Sequence, residues 1–349
     1  MTEAPVEGRA SLLAPAPRLE PIEIPGRDPV PVSLLTGFLG AGKTTLLNRI
    51  LNGDHGLRVG VLVNDFGDIN IDAALVEGVA ENTINLANGC ICCEIRDDLI
   101  TSLEGLLTQE KAVDYVIVEA SGIAEPSGIV MTFLDQRYER LLRLDSITCL
   151  VDAEGIFAHA DDQALTMLKL RQIGFADLVV LNKTDLVGPD HIEVIRDWIG
   201  LHMNRVRIVE TRMGEVPLEI LLSVGRFDPT QTVNTDETTA PHGSGSAGSV
   251  FDRWSFQTDT LFALDALTEM VKRKLPESVY RCKGIIYTTE NPDQPLALQV
   301  VGRRTEITSL KTLGRNSPHS QIVAIGKEID KKLLNDLFSA TLASTETHT

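Results

Sequence analysis

The chain has 349 residues, a hydrophobic fraction of 43% and a formal net charge of -17. This length exceeds what one hydrophobic core usually covers, so we expect two domains. The acidic charge argues against nucleic acid or an anionic membrane as the main partner. The sequence has no apolar run near the ~18 residues that span a bilayer, and no basic-then-apolar secretory signal. Five cysteines, an odd number, favour a reducing cytoplasm over a disulfide framework.

Residues 1–28 are rich in Pro, Ala and Glu without periodicity, which predicts a disordered leader. A buried strand is expected at Val30–Thr36, followed by the phosphate-binding pattern G-x-x-x-x-G-K-[ST] and a helix. Strand, glycine loop and helix stand in the required order, so a glycine turn that binds nothing is disfavoured. The predicted nucleotide-binding residues of this loop are Gly37, Gly40, Ala41, Gly42, Lys43, Thr44 and Thr45.

Each chemical position of this pattern has a physical role. The glycines let the backbone turn its N–H groups toward an anion, aided by the positive end of the helix. Lys43 is expected to reach the β- and γ-phosphates and to act in catalysis, and the Thr44 hydroxyl is expected to bind Mg²⁺. The chain is therefore expected to bind a nucleoside triphosphate.

Short apolar strands alternate with helices through residue 225, which predicts a doubly wound, mainly parallel α/β domain over residues 29–227. Arg58–Asn64 is expected to be its second strand and Glu94–Leu107 one of its helices. Asp65 and Asp68 follow the second strand at the carboxyl edge, where ligands bind in such folds. They are candidates for Mg²⁺ or a second metal, with a solvated acidic loop as the alternative.

Glu119-x-x-Gly122 follows another apolar strand, where GTPases usually carry Asp-x-x-Gly. The Glu119 carboxylate is expected to hold Mg²⁺ through water and to act in catalysis, while the Gly122 N–H would sense the γ-phosphate. An exposed glutamate at a strand end is the alternative interpretation.

Asn182-Lys183-Thr-Asp185 matches N-K-x-D, the guanine-reading segment of GTPases. The Asp185 carboxylate would accept hydrogen bonds from the ring N–H and amino group of guanine, groups that adenine does not present there. Sites built on such hydrogen bonds discriminate by about 10⁴–10⁵-fold. Because the motif follows a strand downstream of a phosphate loop, it predicts GTP over ATP.

Cys90-x-Cys92-Cys93 places three thiols within four residues. Thiolates are soft ligands for Zn²⁺ and can hold Co²⁺. A structural zinc site normally has four protein ligands, so three thiolates in a loop suit a transferable ion with an open position. Buried small side chains or a redox pair are the alternative. Cys149 and Cys282 lie in expected strands and are interpreted as packing residues.

Residues 228–249 are rich in Thr, Asn, Gly and Ser, which predicts a flexible linker. Strands and helices over residues 250–343 predict a smaller α+β C-terminal domain without a readable chemical motif, and residues 344–349 a disordered tail.

Together, these motifs resemble the CobW family of P-loop GTPases, related to the nickel-insertion GTPases of hydrogenase and urease. The resemblance extends to the C-terminal domain through Arg281-Cys-Lys-Gly284 and Ile322-Val-Ala-Ile-Gly326. It implies a GTP-hydrolysing metallochaperone or metalloenzyme activator with slow intrinsic turnover, whose C-x-C-C cysteines hold zinc or cobalt. Members serve zinc allocation, cobalamin synthesis and nitrile hydratase maturation. Asp65 departs from the family pattern, which usually has Glu there.

The expected function is therefore GTP-dependent delivery of a transition metal to a client protein or pathway, in the cytoplasm. The alternative is a GTP-dependent switch or assembly factor with structural or redox cysteines. A third possibility, a phosphotransferase acting on a small molecule, is disfavoured by Asn182–Asp185. The sequence leaves the metal, the client and a possible homodimer open.

Overall fold

The computed structural model describes residues 27–63, 83–85, 94–108, 113–203, 206–222, 251–310 and 319–343. The described residues form two sheets with helices around them. Within these ranges, none of the helices combines the length and apolar character needed to cross a bilayer. The expected linker at 228–249 and tail at 344–349 lie outside the described residues, as does the expected leader apart from Arg27 and Asp28.

The first sheet has seven parallel strands in the order β3-β2-β4-β1-β5-β6-β7. Strands β2, β4 and β6 are buried along their whole length, as expected for a sheet covered on both faces. The strands are β1 Val30–Gly37, β2 Val59–Val63, β3 Thr83–Asn85, β4 Tyr115–Glu119, β5 Leu142–Asp152, β6 Leu178–Asn182 and β7 Arg207–Glu210.

Helices α1–α6 accompany this sheet: α1 Lys43–Leu51, α2 Glu94–Leu107, α3 Ser127–Phe133, α4 Gln163–Phe175, α5 Pro189–His202 and α6 Leu218–Leu221. Local sequence explains several of their starts. Asp162 caps α4 by accepting hydrogen bonds from two backbone N–H groups, and Pro189 occupies the first turn of α5. Asp152, at the end of β5, accepts from the N–H groups of Glu154 and Gly155 and so shapes the turn that leads toward α4.

Apolar side chains from alternate positions of the strands pack against helices on both faces of the sheet. One face of β1 and β4 buries Val32, Leu34 and Val118 against α2 and α3. The other face contributes Leu35 and Ile117 to a core with α1 and α6. The two layers hold the sheet rigidly, so the loops at its carboxyl edge have a fixed base.

The second sheet has five strands in the order β11-β10-β9-β12-β8, all antiparallel. Its core contains aromatic contacts between Trp254, Phe256 and Phe338, with centroids 5.0–5.9 Å apart. The elements are β8 Asp252–Thr258, α7 Leu264–Arg273, β9 Val279–Ile286, β10 Leu296–Val301, β11 Arg304–Ser309, β12 Ser320–Gly326 and α8 Lys331–Ser339.

The two sheets meet through a buried polar network at the amino-terminal part of the parallel sheet. The Arg281 guanidinium on β9 donates to both Asp145 carboxylate oxygens, at 2.9 and 3.2 Å, and to the carbonyl of Ile220. Tyr115 donates its hydroxyl to the same carboxylate at 2.7 Å and contacts Ser33 on β1. The predicted fold class, a doubly wound, mainly parallel α/β domain followed by a smaller α+β domain, is confirmed.

Candidate nucleotide site

The loop after β1 turns through three glycines with positive φ: Gly37 at 132°, Gly40 at 76° and Gly42 at 100°. Two of them also have no room for a side chain. A Cβ on Gly37 would lie 2.2 Å from the carbonyl oxygen of Leu150, and one on Gly42 would lie 2.5 Å from the Asn182 amide nitrogen. Glycine is therefore required here by both conformation and space.

Lys43 begins α1 directly behind this loop and is almost completely buried. Its ammonium donates to the carbonyl oxygens of Gly37 at 2.9 Å and Phe38 at 3.4 Å, so it is folded over the loop. The α1 N-terminus lies at the same place, and both contribute positive potential to the concave side of the loop.

Thr44 and Glu119 come together although they lie on different elements. The Thr44 hydroxyl donates to a Glu119 carboxylate oxygen at 3.2 Å, and Glu119 is buried at the end of β4. A hydroxyl and a carboxylate beside a phosphate-binding loop are the oxygen donors that Mg²⁺ uses in nucleotide sites. This pair therefore fits a magnesium ion. Ala41 is buried in the loop and Thr45 is exposed on α1.

The segment after β4 lies against the phosphate loop. A Cβ on Gly122 would come within 2.8 Å of the Leu39 backbone nitrogen, so the two loops touch. Gln172 on α4 holds this segment: its side-chain amide donates to the carbonyls of Gly122 at 3.0 Å and Ala124 at 3.1 Å. Gln172 is buried, which makes these contacts well shielded from water.

Asn182 connects the phosphate loop to the loop after β7. Its amide nitrogen donates to the carbonyl of Ala41 in the phosphate loop at 3.0 Å, and its amide oxygen accepts from the Gly214 N–H at 3.0 Å. The phosphate loop, the end of β6 and the loop after β7 are thus tied together by one buried side chain.

Lys183 adopts a left-handed backbone conformation with φ of 60° and forms an ion pair with Asp152 at 2.6 Å. Thr184 follows in a 3-10 turn and bonds to the carbonyl of Thr211 through its N–H and its hydroxyl, at 3.2 and 3.0 Å. Asp185 lies in the same turn with an exposed side chain. The turn and the Thr211–Gly214 loop therefore lie side by side.

A cavity of about 200 Å³ lies behind the phosphate loop, between Phe38 and α4. Lys169 closes it: the ammonium donates to the carbonyls of Ile156 at 2.8 Å and Ala158 at 3.0 Å, and lies 5.0 Å from the Phe38 ring centroid. Burial lowers the pKa of Lys169, and Asp152 opposes that shift. Lys169 therefore links the turn after β5 to the phosphate loop.

The structure does not describe the remaining predicted ligands. Asp65, Asp68 and the Cys90, Cys92 and Cys93 motif lie outside the described residues. Across the ranges that are described, no three His, Cys, Asp or Glu side chains gather as a possible metal site. Cys149 and Cys282 are buried, and burial raises the pKa of each thiol to about 12, as suits unreactive packing residues.

The sequence reasoning missed four residues that hold the site: Asp152, Lys169, Gln172 and Gly214. Asp152 ends a strand at the carboxyl edge, so the rule that places ligands there could have selected it. No motif marks Lys169 or Gln172, because their partners are backbone carbonyls of distant loops.

Comparison with known proteins gives a consistent result. Residues 31–210 match the CobW/HypB/UreG nucleotide-binding domain, and residues 251–342 match the cobalamin synthesis protein cobW C-terminal domain. The zinc chaperone YjiA of Escherichia coli is 32% identical over 89% of this chain and 98% of its own length. The zinc chaperone CobW of Sinorhizobium sp is 30% identical over 79% of this chain and 86% of its own.

The zinc-regulated GTPase metalloprotein activator 1 of Dictyostelium discoideum is 36% identical over 60% of this chain, a match that spans 51% of that protein. The nucleotide-binding match covers the phosphate loop, Glu119 and Asn182, and so includes the elements that build the site above. The family expected from the motifs is confirmed. The chain belongs to the CobW/HypB/UreG family of P-loop GTPases.

Proposed function

We propose that this chain is a GTP-dependent metallochaperone that holds a transition metal, zinc or cobalt, at Cys90, Cys92 and Cys93 and passes it to a client protein. The observation that carries the proposal is the similarity along most of the chain to proteins named zinc chaperones. The three-thiol motif adds a soft ligand set suited to such a cargo. Zinc allocation, cobalamin synthesis and nitrile hydratase activation are the pathways that the family resemblance suggests.

In this proposal the phosphate loop binds the triphosphate of GTP. Lys43 stabilises charge that develops on the transferring phosphoryl group, and the glycine-loop N–H groups orient it. Thr44 and Glu119, in contact at 3.2 Å, would hold Mg²⁺, which supplies positive charge to the β- and γ-phosphates. Glu119 also anchors the segment that carries Gly122, and Gln172 fixes the far end of that segment.

Guanine would bind between the turn at Asn182–Asp185 and the Thr211–Gly214 loop. The exposed Asp185 carboxylate can accept from the two guanine N–H donors, while Asn182 is already committed to holding the two loops. The Lys183 pairing with Asp152 keeps the turn in its left-handed start. Guanine is favoured because the Asp185 side chain is exposed, so its carboxylate can accept from the base.

We further propose that GTP binding and metal binding are coupled. The γ-phosphate and Mg²⁺ would order the loops that carry Asp65 and Gly122, and these would gather the three thiolates; hydrolysis would release the metal. Coupling is reciprocal: a hundredfold tightening of metal by GTP requires the same tightening of GTP by metal, about 2.7 kcal/mol.

This proposal is tested by titrating Zn²⁺ and Co²⁺ into untagged protein. Each titration is made with a magnesium–GTP analogue, with GDP and without nucleotide. The metal affinity should be highest with the analogue and should collapse when Cys90, Cys92 and Cys93 are changed to Ser. Lys43→Ala is the matched control, because it should leave the thiols intact but remove the nucleotide effect. Metal binding that ignores the nucleotide, or that survives the triple change, would leave the alternative of a GTP-dependent protein switch.

A further inference from the structure

A groove of about 630 Å³ separates the nucleotide-binding domain from the C-terminal domain. One wall is formed by α5 and β7, with Ile192 and Ile208 as apolar contacts. The opposite wall is formed by Tyr280 on β9 and by the turn at Lys327 that follows β12. The Lys327 N–H donates to the carbonyl of Ser278 at 2.9 Å, which fixes that turn.

The groove contains an excess of carboxylates. The two cations among its described lining residues are directed at one of them: Arg196 contacts Glu210 at 2.6 Å, and Lys327 lies 3.9 Å from the same carboxylate. Three further carboxylates line the groove, namely Glu193, Glu277 and Glu328. None of these three forms an ion pair or a side-chain hydrogen bond with any residue that the structure describes. The groove therefore presents unneutralised negative charge beside apolar walls.

Tyr280 provides a second and independent feature. Its side chain is only 5% exposed and lines the groove, yet its hydroxyl has no hydrogen-bond partner within the described part of the chain. Burial raises the pKa of the Tyr280 hydroxyl. The positive charge of Arg196 lowers this pKa, while the negative charges of Glu210 and Glu328 raise it further. The hydroxyl is therefore protonated at neutral pH. The hydroxyl faces the groove and is available to bond to a ligand there.

We propose that this groove binds a lysine or arginine side chain of a protein partner. The charged end would meet Glu193, Glu277 and Glu328 and bond to the Tyr280 hydroxyl. The aliphatic part of such a side chain would lie on the apolar wall that includes Ile192. A small inorganic cation would gain nothing from contact with the apolar wall. The combination of carboxylates and an apolar wall therefore favours a basic side chain.

The segment between the two domains cannot supply the occupant. Residues 227–250, which connect them in sequence, contain no Lys or Arg. A second copy of the chain also carries a formal charge of -17, so its approach to an acidic groove is opposed by repulsion. The charge complementarity favours a different, basic partner. This inference does not depend on the proposed metal site.

The test uses a fluorescein-labelled pentapeptide that alternates valine with arginine, and its counterpart with glutamine in place of arginine. Fluorescence anisotropy at about 0.15 M salt, where weak surface attraction is screened, measures binding to the full chain. The arginine peptide should bind and the glutamine peptide should not. Tyr280→Phe should weaken binding about threefold to tenfold, because it removes one hydrogen bond and leaves the ring.

A charge-neutralised variant, Glu193→Gln with Glu277→Gln and Glu328→Gln, should weaken binding at least about tenfold. Its matched control makes the same charge change at exposed positions elsewhere: Glu139→Gln, Asp161→Asn and Asp293→Asn. The control should bind as the unmodified chain does, and all variants should hydrolyse GTP at the unmodified rate.

Three results would overturn the proposal. The first is equal loss of binding in the charge-neutralised variant and in its control, which would indicate attraction to overall charge. The second is unchanged binding in both the charge-neutralised variant and Tyr280→Phe. The third is competition by spermidine at the same concentration as the peptide, which would assign the groove to a small polyamine. Loss of metal binding in the Cys-to-Ser protein, with peptide binding intact, separates this inference from the proposed function.

Discussion

The buried pair between Arg281 and Asp145 should contribute strongly to the joining of the two domains. Both side chains are at most 2% exposed, and Asp145 also accepts from Tyr115. Arg281→Met would keep most of the volume but leave the carboxylate without its closest cation. Loss of one partner of a buried pair costs about 3–5 kcal/mol. This is a large part of the ~5–15 kcal/mol that stabilises a typical domain.

Arg253→Met provides the matched control, because Arg253 on β8 also joins the two domains, through Glu219 on α6 at 3.0 Å, and is not paired with Asp145. Those side chains are 70% and 45% exposed, so water screens the pair and its loss should cost at most about 1 kcal/mol. Adding Asp145→Asn to Arg281→Met removes the buried charge and should restore part of the stability, since a neutral amide is less costly to bury.

Equilibrium urea unfolding measures these differences, with tryptophan fluorescence as the probe. Trp198 lies on α5 and Trp254 on β8, so variants that retain one tryptophan report on one domain each. The two transitions should separate in Arg281→Met. The reasoning would be refuted if Arg281→Met cost no more than Arg253→Met, or if Asp145→Asn lowered the stability of the Arg281→Met protein further.

Three further outcomes are expected. Gln172→Ala should lower kcat for GTP hydrolysis by about tenfold with little change in GTP affinity, because the loop carrying Gly122 loses two hydrogen bonds of ~1 kcal/mol each. An unchanged kcat in steady-state assays would show that Gln172 does not position this loop for hydrolysis. Asp185→Asn should weaken GTP binding by several kcal/mol and favour xanthosine triphosphate in relative terms, as measured by calorimetry; equal affinity of the unmodified chain for GTP and ATP would contradict this. Burial, with repulsion from Arg281, lowers the pKa of Lys283 in the folded protein well below its usual 10.5. At pH values between the folded-state and unfolded-state pKa of Lys283, the unfolded state therefore binds more protons than the folded state. The free energy of unfolding should therefore rise with pH across that interval and Lys283→Met should flatten the rise; an equal slope in both proteins would argue against it.

Much of the fold was predictable because its signals are local. The buried strands of a parallel sheet are short apolar runs. α2 at Glu94–Leu107 has the expected bounds, and β1 at Val30–Gly37 ends one residue beyond its expected end. Four elements were not predicted. α4 is apolar around much of its circumference, so it lacks a single stripe; α3 has only 7 residues and α6 only 4; and β11, at Arg304–Ser309, is polar and lies at a sheet edge.

The sequence by itself determined the chemistry of the site. A left-handed glycine loop, a lysine and a threonine in adjacent positions identify a phosphate site because their roles depend on neighbours a few residues away. Only the tertiary structure decided how the loops are held. Asn182 reaches Ala41 across 141 residues, and Gln172 reaches Gly122 across 50. Such contacts depend on which strands become neighbours in the sheet, and the groove at Tyr280 depends on how two domains meet. Local periodicity gives no information about these long-range contacts or about the groove, because it shows only which face of an element is apolar.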